Sequence, residues 1–145
     1  MVVYADTSFL FSLYGNDANS AQARPLGDAL KAPLAFTLLH RHELRNAFRL
    51  AVFRRVMTPE RCHAVLAEIE ADTKTGALVE TAVAWAEVYA EAEALSAAHT
   101  ETLGTRGFDV LHVAAAAALG AKDFFTFDTR QKALAMKAGM KVNMG

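Results

Sequence analysis

VVYADTSFLFSLYG, residues 2–15, decides the fold. Val2–Ala5 is a short apolar run with no helical periodicity, and Asp6 ends it, so it reads as a buried strand. Asp6, Thr7 and Ser8 then offer N-cap groups for a helix over roughly 8–14, which Gly15-Asn16-Asp17 stops. A buried strand that passes straight into a helix is the repeating step of a parallel sheet covered on both faces.

The alternation continues down the chain. Residues 19–31 read as a helix with Leu26, Ala29 and Leu30 on its apolar side, broken by Pro33, and LAFTL (34–38) as a second strand. From Leu39 to Arg55 the pattern is helical: Leu44, Phe48, Ala51 and Val52 share one side, and Arg41, Arg45 and Arg49 recur every four residues. Thr58-Pro59-Glu60 is a cap followed by a first-turn proline, opening a helix that runs to about Lys74 and ends at Gly76. ALVET (77–81) is a candidate short strand. Residues 83–99 form a long helix with Trp85, Val88, Tyr89, Ala92 and Leu95 as the expected buried face, followed by a loop from His99 to Gly107. Asp109–Leu119 is apolar almost all round, the mark of a central buried helix. DFFTFD (123–128) has a strand core ending in an acid. A helix over Thr129–Ala138, a Gly139 cap and a possible edge strand KVN (141–143) complete the pattern. The fold class expected is α/β, three layers with a central parallel sheet, and one domain over residues 1–145.

Composition narrows the function classes. Apolar residues are 53% and charged residues 21% of 145, which excludes a disordered or low-complexity chain. One cysteine, Cys62, leaves no intramolecular disulfide and no cysteine zinc cluster, a pattern that suits a reducing cytoplasm. Asp6 interrupts the apolar start and no basic leader precedes it. The apolar run VLHVAAAAALGA (110–121) is shorter than the ~20 residues that span a bilayer. A net charge of −1 argues against a general nucleic-acid binder, although the strip at Arg41, Arg45, Arg49, Arg54 and Arg55 could meet phosphates locally. On its own that strip reads more simply as a solvated helix face.

Four acids stand at places that matter. Asp6 and Asp128 end strongly apolar strands, where parallel sheets open their ligand crevices. Glu43 starts the helix after the second strand, with Ala47 rather than a cation four residues on. Asp109 opens the most apolar helix. Singly, Asp6, Asp109 and Asp128 each read as a helix cap or first-turn acid. Together, with no histidine or cysteine among them, they make a hard-cation set suited to Mg²⁺ or Mn²⁺. Asp123 precedes its strand and stands outside the set.

On these residues the chain resembles the PIN-domain family, and within it the VapC-like ribonuclease toxins of bacterial type II toxin–antitoxin pairs. The resemblance covers nearly the whole chain. It rests on VYADTSFL (3–10) with Asp6, TLLHRHELRNA (37–47) with Glu43 and Asn46, TRGFDVLHVAAA (105–116) with Asp109, and FFTFDTRQKALA (124–135) with Asp128. A further acid that many members carry after the fourth motif is absent: Thr129, Arg130 and Gln131 follow Asp128. The resemblance implies an α/β/α fold, metal-dependent hydrolysis of RNA phosphodiesters, a cognate antitoxin that blocks the crevice, and a homodimer. Its implied catalytic and metal residues are Asp6, Glu43, Asp109 and Asp128.

Around them, Thr7, Ser8, Asn46 and Thr126 are supporting candidates, although Thr7 and Ser8 fit helix capping and Thr126 fits sheet packing equally well. Arg106, His112, Arg41 and Arg45 are substrate-binding candidates. His112, one turn from Asp109, also reads as a satisfied core histidine, and Trp85 and Tyr89 as core rather than base-stacking platforms. Two other readings stand beside this one. A non-catalytic RNA-binding or regulatory protein could keep the fold, but four retained acids argue against it. A phosphatase with Asp6 as nucleophile would want an acid two residues on, where Ser8 stands.

Overall fold

A computed structural model of the chain describes residues 2–144. Within these residues five strands form one sheet: β1 (Val3–Ala5), β2 (Leu34–Phe36), β3 (Leu78–Glu80), β4 (Asp123–Phe125) and β5 (Lys141–Val142). All pairings are parallel, in the order β3-β2-β1-β4-β5. The chain builds outward from β1 through β2 to β3, then returns to lay β4 on the other side of β1. The β1–β4 junction is therefore a topological switch point, where an open α/β sheet presents its crevice.

Among the described residues seven helices cover the sheet: α1 (Thr7–Tyr14), α2 (Ser20–Asp28), α3 (Leu38–Phe53), α4 (Pro59–Thr75), α5 (Trp85–Leu103), α6 (Gly107–Ala118) and α7 (Thr129–Lys137). Alternate strand residues point to opposite faces, which divides the core in two. Val3, Ala5, Leu34, Phe36 and Phe125 pack against α1 to α4, with Phe9, Leu44, Phe48, Val65 and Ile69. Tyr4, Ala35 and Phe124 pack against α5 to α7, with Val88, Leu111, Ala115 and Leu134. Seven consecutive buried residues, Val110–Ala116, explain the all-round apolar character of α6. No helix among the described residues is long and apolar enough to cross a membrane.

Several boundaries differ from the sequence reading. β2 ends at Phe36 rather than residue 38, because Thr37 turns to cap α3 through the His40 N–H. β4 begins at Asp123 and ends at Phe125, so Thr126 and Phe127 lie beyond the ladder. α5 runs on to Leu103, where Gly104 at φ 69 caps it, and the expected 99–107 loop shrinks to residues 104–106. α2 stops at Asp28 and buries Ala23, while Ala29 is exposed. Tyr89 was expected in the core and is 60% exposed, because Val88 and Leu95 carry the buried side of α5.

Candidate active site

The four acids line one cleft of about 780 Å³ at the C-terminal edge of the sheet. Each arrives by a local rule. Asp6 follows β1 and caps α1, taking the Phe9 N–H on Oδ1 at 2.7 Å. Asp128 lies just beyond β4 and caps α7, taking the Gln131 N–H on Oδ1 at 2.9 Å. Asp109 occupies the first turn of α6, and Glu43 projects from α3. In both caps one carboxylate oxygen serves the helix, while the second is held by hydroxyls at Asp6 and lies near Arg106 at Asp128.

Asp6 is 3% exposed. Its Oδ2 accepts the hydroxyls of Ser8 and Thr126, both at 2.8 Å. Burial raises the Asp6 pKa, opposed by these bonds, the Phe9 N–H and the charge of His112. Thr126 is fully buried. It also receives the Asp128 N–H at 3.1 Å and faces Gln131 Oε1 at 2.7 Å, so its single hydrogen serves one of two acceptors at a time.

Glu43 Oε1 receives the Thr7 hydroxyl at 2.9 Å and meets His112 Nε2 at 2.5 Å. His112 is buried, and its Nδ1 meets the Tyr4 hydroxyl at 2.7 Å. Burial pushes the Glu43 pKa up, but the His112 hydrogen bond and charge, with Thr7, outweigh it and hold the carboxyl below its usual range. His112 thus partners Glu43 from across the fold, not Asp109 on its own helix.

On the other side, exposed Arg106 donates from Nε to Asp109 Oδ2 at 3.0 Å and lies 3.6 Å from Asp128 Oδ2 through its terminal nitrogen. These acids raise its pKa further.

A PIN-domain family model matches residues 3–137. The chain belongs to the PIN-domain family. The fold also matches that of Mycobacterium tuberculosis VapC20, a sarcin-ricin-loop-cleaving toxin, with a TM-score of 0.67 at 20% identity over 90% of this chain and 93% of that one. No curated protein matches the chain significantly by sequence.

Within this PIN domain, the supporting candidates separate. Thr7, Ser8 and Thr126 each touch an acid. Asn46 instead lines a shallow groove along α3 with Arg41 and Arg45. Arg41 pairs with Glu70 at 2.9 Å and Glu80 at 3.5 Å, and Arg45 with Glu70 at 3.5 Å, so two of the basic strip's side chains are tied to α4 and the end of β3. Two buried residues escaped the sequence reading. Gln131 occupies the stretch where many family members carry a further acid, and its Nε2 donates to the Asp109 carbonyl at 3.2 Å. Its signal was the Asp-x-x-Gln spacing of a capping box, here with the amide turned inward. His40 takes the Thr37 N–H on Nδ1 at 3.0 Å and donates from Nε2 to the Ala5 carbonyl at 2.7 Å. It thereby fixes the strand end that carries Asp6.

Among the described residues, no three His, Cys, Asp or Glu side chains are grouped tightly enough to enclose an ion. The donor chemistry nevertheless fits a hard divalent cation. The carboxylates of Asp6, Glu43, Asp109 and Asp128 line one cleft from four segments, with Arg106 paired to Asp109 and Asp128, His112 against Glu43, and Arg54 further along the wall.

Proposed function

We propose that this protein is a divalent-metal-dependent endoribonuclease and the toxin of a type II toxin–antitoxin pair. The observation that carries the reading is the meeting of Asp6, Glu43, Asp109 and Asp128 along one cleft at the switch point of a PIN-domain sheet. PIN-domain proteins are nucleases that generally use divalent metal, and the fold matches a toxin that cleaves RNA.

In this reading Asp6, Asp109 and Asp128 hold Mg²⁺ or Mn²⁺, with Glu43 sharing the coordination sphere. The ion would supply Lewis-acid polarisation of a phosphate oxygen and acidify water, which removes the need for a histidine base. The chain's own groups do the rest. Glu43, kept ionised by His112 and Thr7, offers an acceptor that orients attacking water. Ser8 and Thr126 hold the Asp6 carboxylate in one orientation. Arg106 stands at the cleft edge, free to exchange an acid for a substrate phosphate. His112 is engaged on both ring nitrogens, which leaves it poorly placed to deprotonate a ribose hydroxyl.

The same reading includes a cognate antitoxin that presents an Arg or Lys to the acids, and a homodimer. Clustered carboxylates favour such a cationic neighbour. The deciding experiment is end-group analysis of a cleaved RNA oligonucleotide. Cleavage should require added Mg²⁺ or Mn²⁺, stop with chelator, and leave 5′-phosphate and 3′-hydroxyl ends. Cyclic-phosphate ends that persist in chelator would overturn the chemistry. A pure preparation that never cleaves would favour the non-catalytic reading. Sedimentation should show a dimer at micromolar concentration, and a strict monomer would remove that part.

A further inference from the structure

A second cavity, a groove of about 1220 Å³ between α5 and α6, opens beside the acidic cleft. Glu43, Arg106 and Asp109 line both, so the two are continuous. One wall is a stripe on α5: Tyr89, Glu93, Ser96 and Thr100 recur at four, three and four residues, a single helix face. The other wall includes Phe108, which immediately precedes Asp109. Tyr89 and Phe108 are each 60% exposed. Two large aromatic side chains left in water beside a set of acids mark a recognition surface more than a packing fault.

Resting on the ribonuclease reading, we propose that this groove is the nucleobase subsite of the cleft. Tyr89 and Phe108 receive an unstacked base of the RNA strand, while its phosphate lies at Arg106 and the acids. The chemistry of the walls selects this occupant. A base offers a π face to the aromatics and a polar edge to the hydroxyls and carboxylate of Ser96, Thr100 and Glu93. An apolar helix would cover those polar groups without satisfying them. Arg106, at the junction, supplies the positive charge that a strand passing from one cavity to the other needs.

The test uses a short single-stranded RNA carrying a fluorescent adenine analogue, and the same strand with an abasic position, titrated in chelator so that binding is read without cleavage. The wild-type protein should quench the analogue and discriminate against the abasic strand. Tyr89→Ala and Phe108→Ala should each weaken binding about tenfold and lose the quenching, and Tyr89→Phe should restore both. With metal present, the alanine variants should raise KM more than they lower kcat. Because both side chains are exposed, unchanged melting temperatures should accompany these losses. Unchanged affinity and quenching in a protein that still cleaves RNA would overturn the subsite and leave the nuclease standing. Absence of both binding and cleavage in the wild type would remove the RNA reading and the subsite with it. Variants altered only in sedimentation would assign the groove to contact between copies and overturn the proposal.

Discussion

Asp6 and Glu43 belong to a half of the cleft in which the polar contacts are buried and long-range, whereas Asp109 and Asp128 are joined by one exposed arginine. In the first half, Tyr4, Thr7, His112 and Thr126 link β1, α1, α3, α6 and the end of β4 around the two acids. Among the described residues no buried side-chain polar atom lacks a partner. In the second half, Arg106 is 76% exposed, so its ion pairs are screened and soft. The difference teaches which half is set in advance and which awaits a ligand. A buried network keeps its geometry without substrate, while a solvent-facing ion pair exchanges partners when phosphate or metal arrives.

The largest expected effect tests the first half. Asp6→Asn should lower metal-dependent cleavage by at least about 100-fold, since removing a direct ligand should cost no less than losing a residue that merely orients one. The fold should not suffer. Asn still accepts the Phe9 N–H, its amide can donate to the Ser8 and Thr126 oxygens, and Thr126 is then free to donate to Gln131. Burial raises the Asp6 pKa, so ionising it costs folding free energy above its folded value, and Asn removes that cost. Calorimetric titration of Mn²⁺ and thermal melting should therefore part company: weaker binding, with Tm equal or higher. A fall in both would mean that Asp6 is held chiefly for structure.

His40 sharpens the same half through pH. Burial, followed by the charge of His112, lowers its pKa from 6.5 to about 3. An unfolded chain takes up this proton near 6.5, but the folded chain refuses it until about 3. Stability is thus intact above the upper value and drains as pH falls towards the lower one. Urea melts across that window should show a loss of a few kcal/mol in the wild type and a shallower slope in His40→Gln. Asp6 contributes with the opposite sign and is common to both proteins, so it leaves their difference. Equal slopes would place the acid lability elsewhere.

These two residues also show what could be read from the chain. Asp6 was legible because its signals are local: an apolar run, an acid and a helix start within ten residues. The strand–helix order was legible for the same reason, as each element carries its own periodicity and breakers. His40 was not. At the third position of α3 it stands where a capping box ordinarily has Glu or Gln, and its main partner, Ala5, is 35 residues away. Thr126 meets Asp6 across 120 residues, and no local pattern carries such a pairing. Tyr89 failed for a related reason. Helical spacing identifies a face, but which of two adjoining faces is buried depends on the neighbour, here α6, and α6 leaves Tyr89 at an open groove.

Arg106 gives the smallest expected effect and the sharpest test of the second half. Its guanidinium is exposed, so Arg106→Ala should change folding stability by no more than about 1 kcal/mol. Function should move in two directions. Without the arginine, Asp109 and Asp128 lose a competing cation, and Mn²⁺ should bind the free protein a few-fold more tightly. RNA should bind more weakly, with the slope of log affinity against log salt reduced by about one, as expected when a single phosphate contact is lost. Anisotropy titrations of labelled RNA in chelator, repeated over a range of salt, read the second effect, and calorimetry with Mn²⁺ reads the first. A stability loss above about 2 kcal/mol would break the comparison, because that is the cost of removing a buried, fixed partner rather than a screened one. A variant with unchanged salt slope but tighter Mn²⁺ binding would keep the arginine as a counter-ion and deny it the phosphate. The two halves would then differ in rigidity alone, and the cation that escorts RNA into the cleft would have to come from elsewhere on its rim, where Arg54 also lines the cavity.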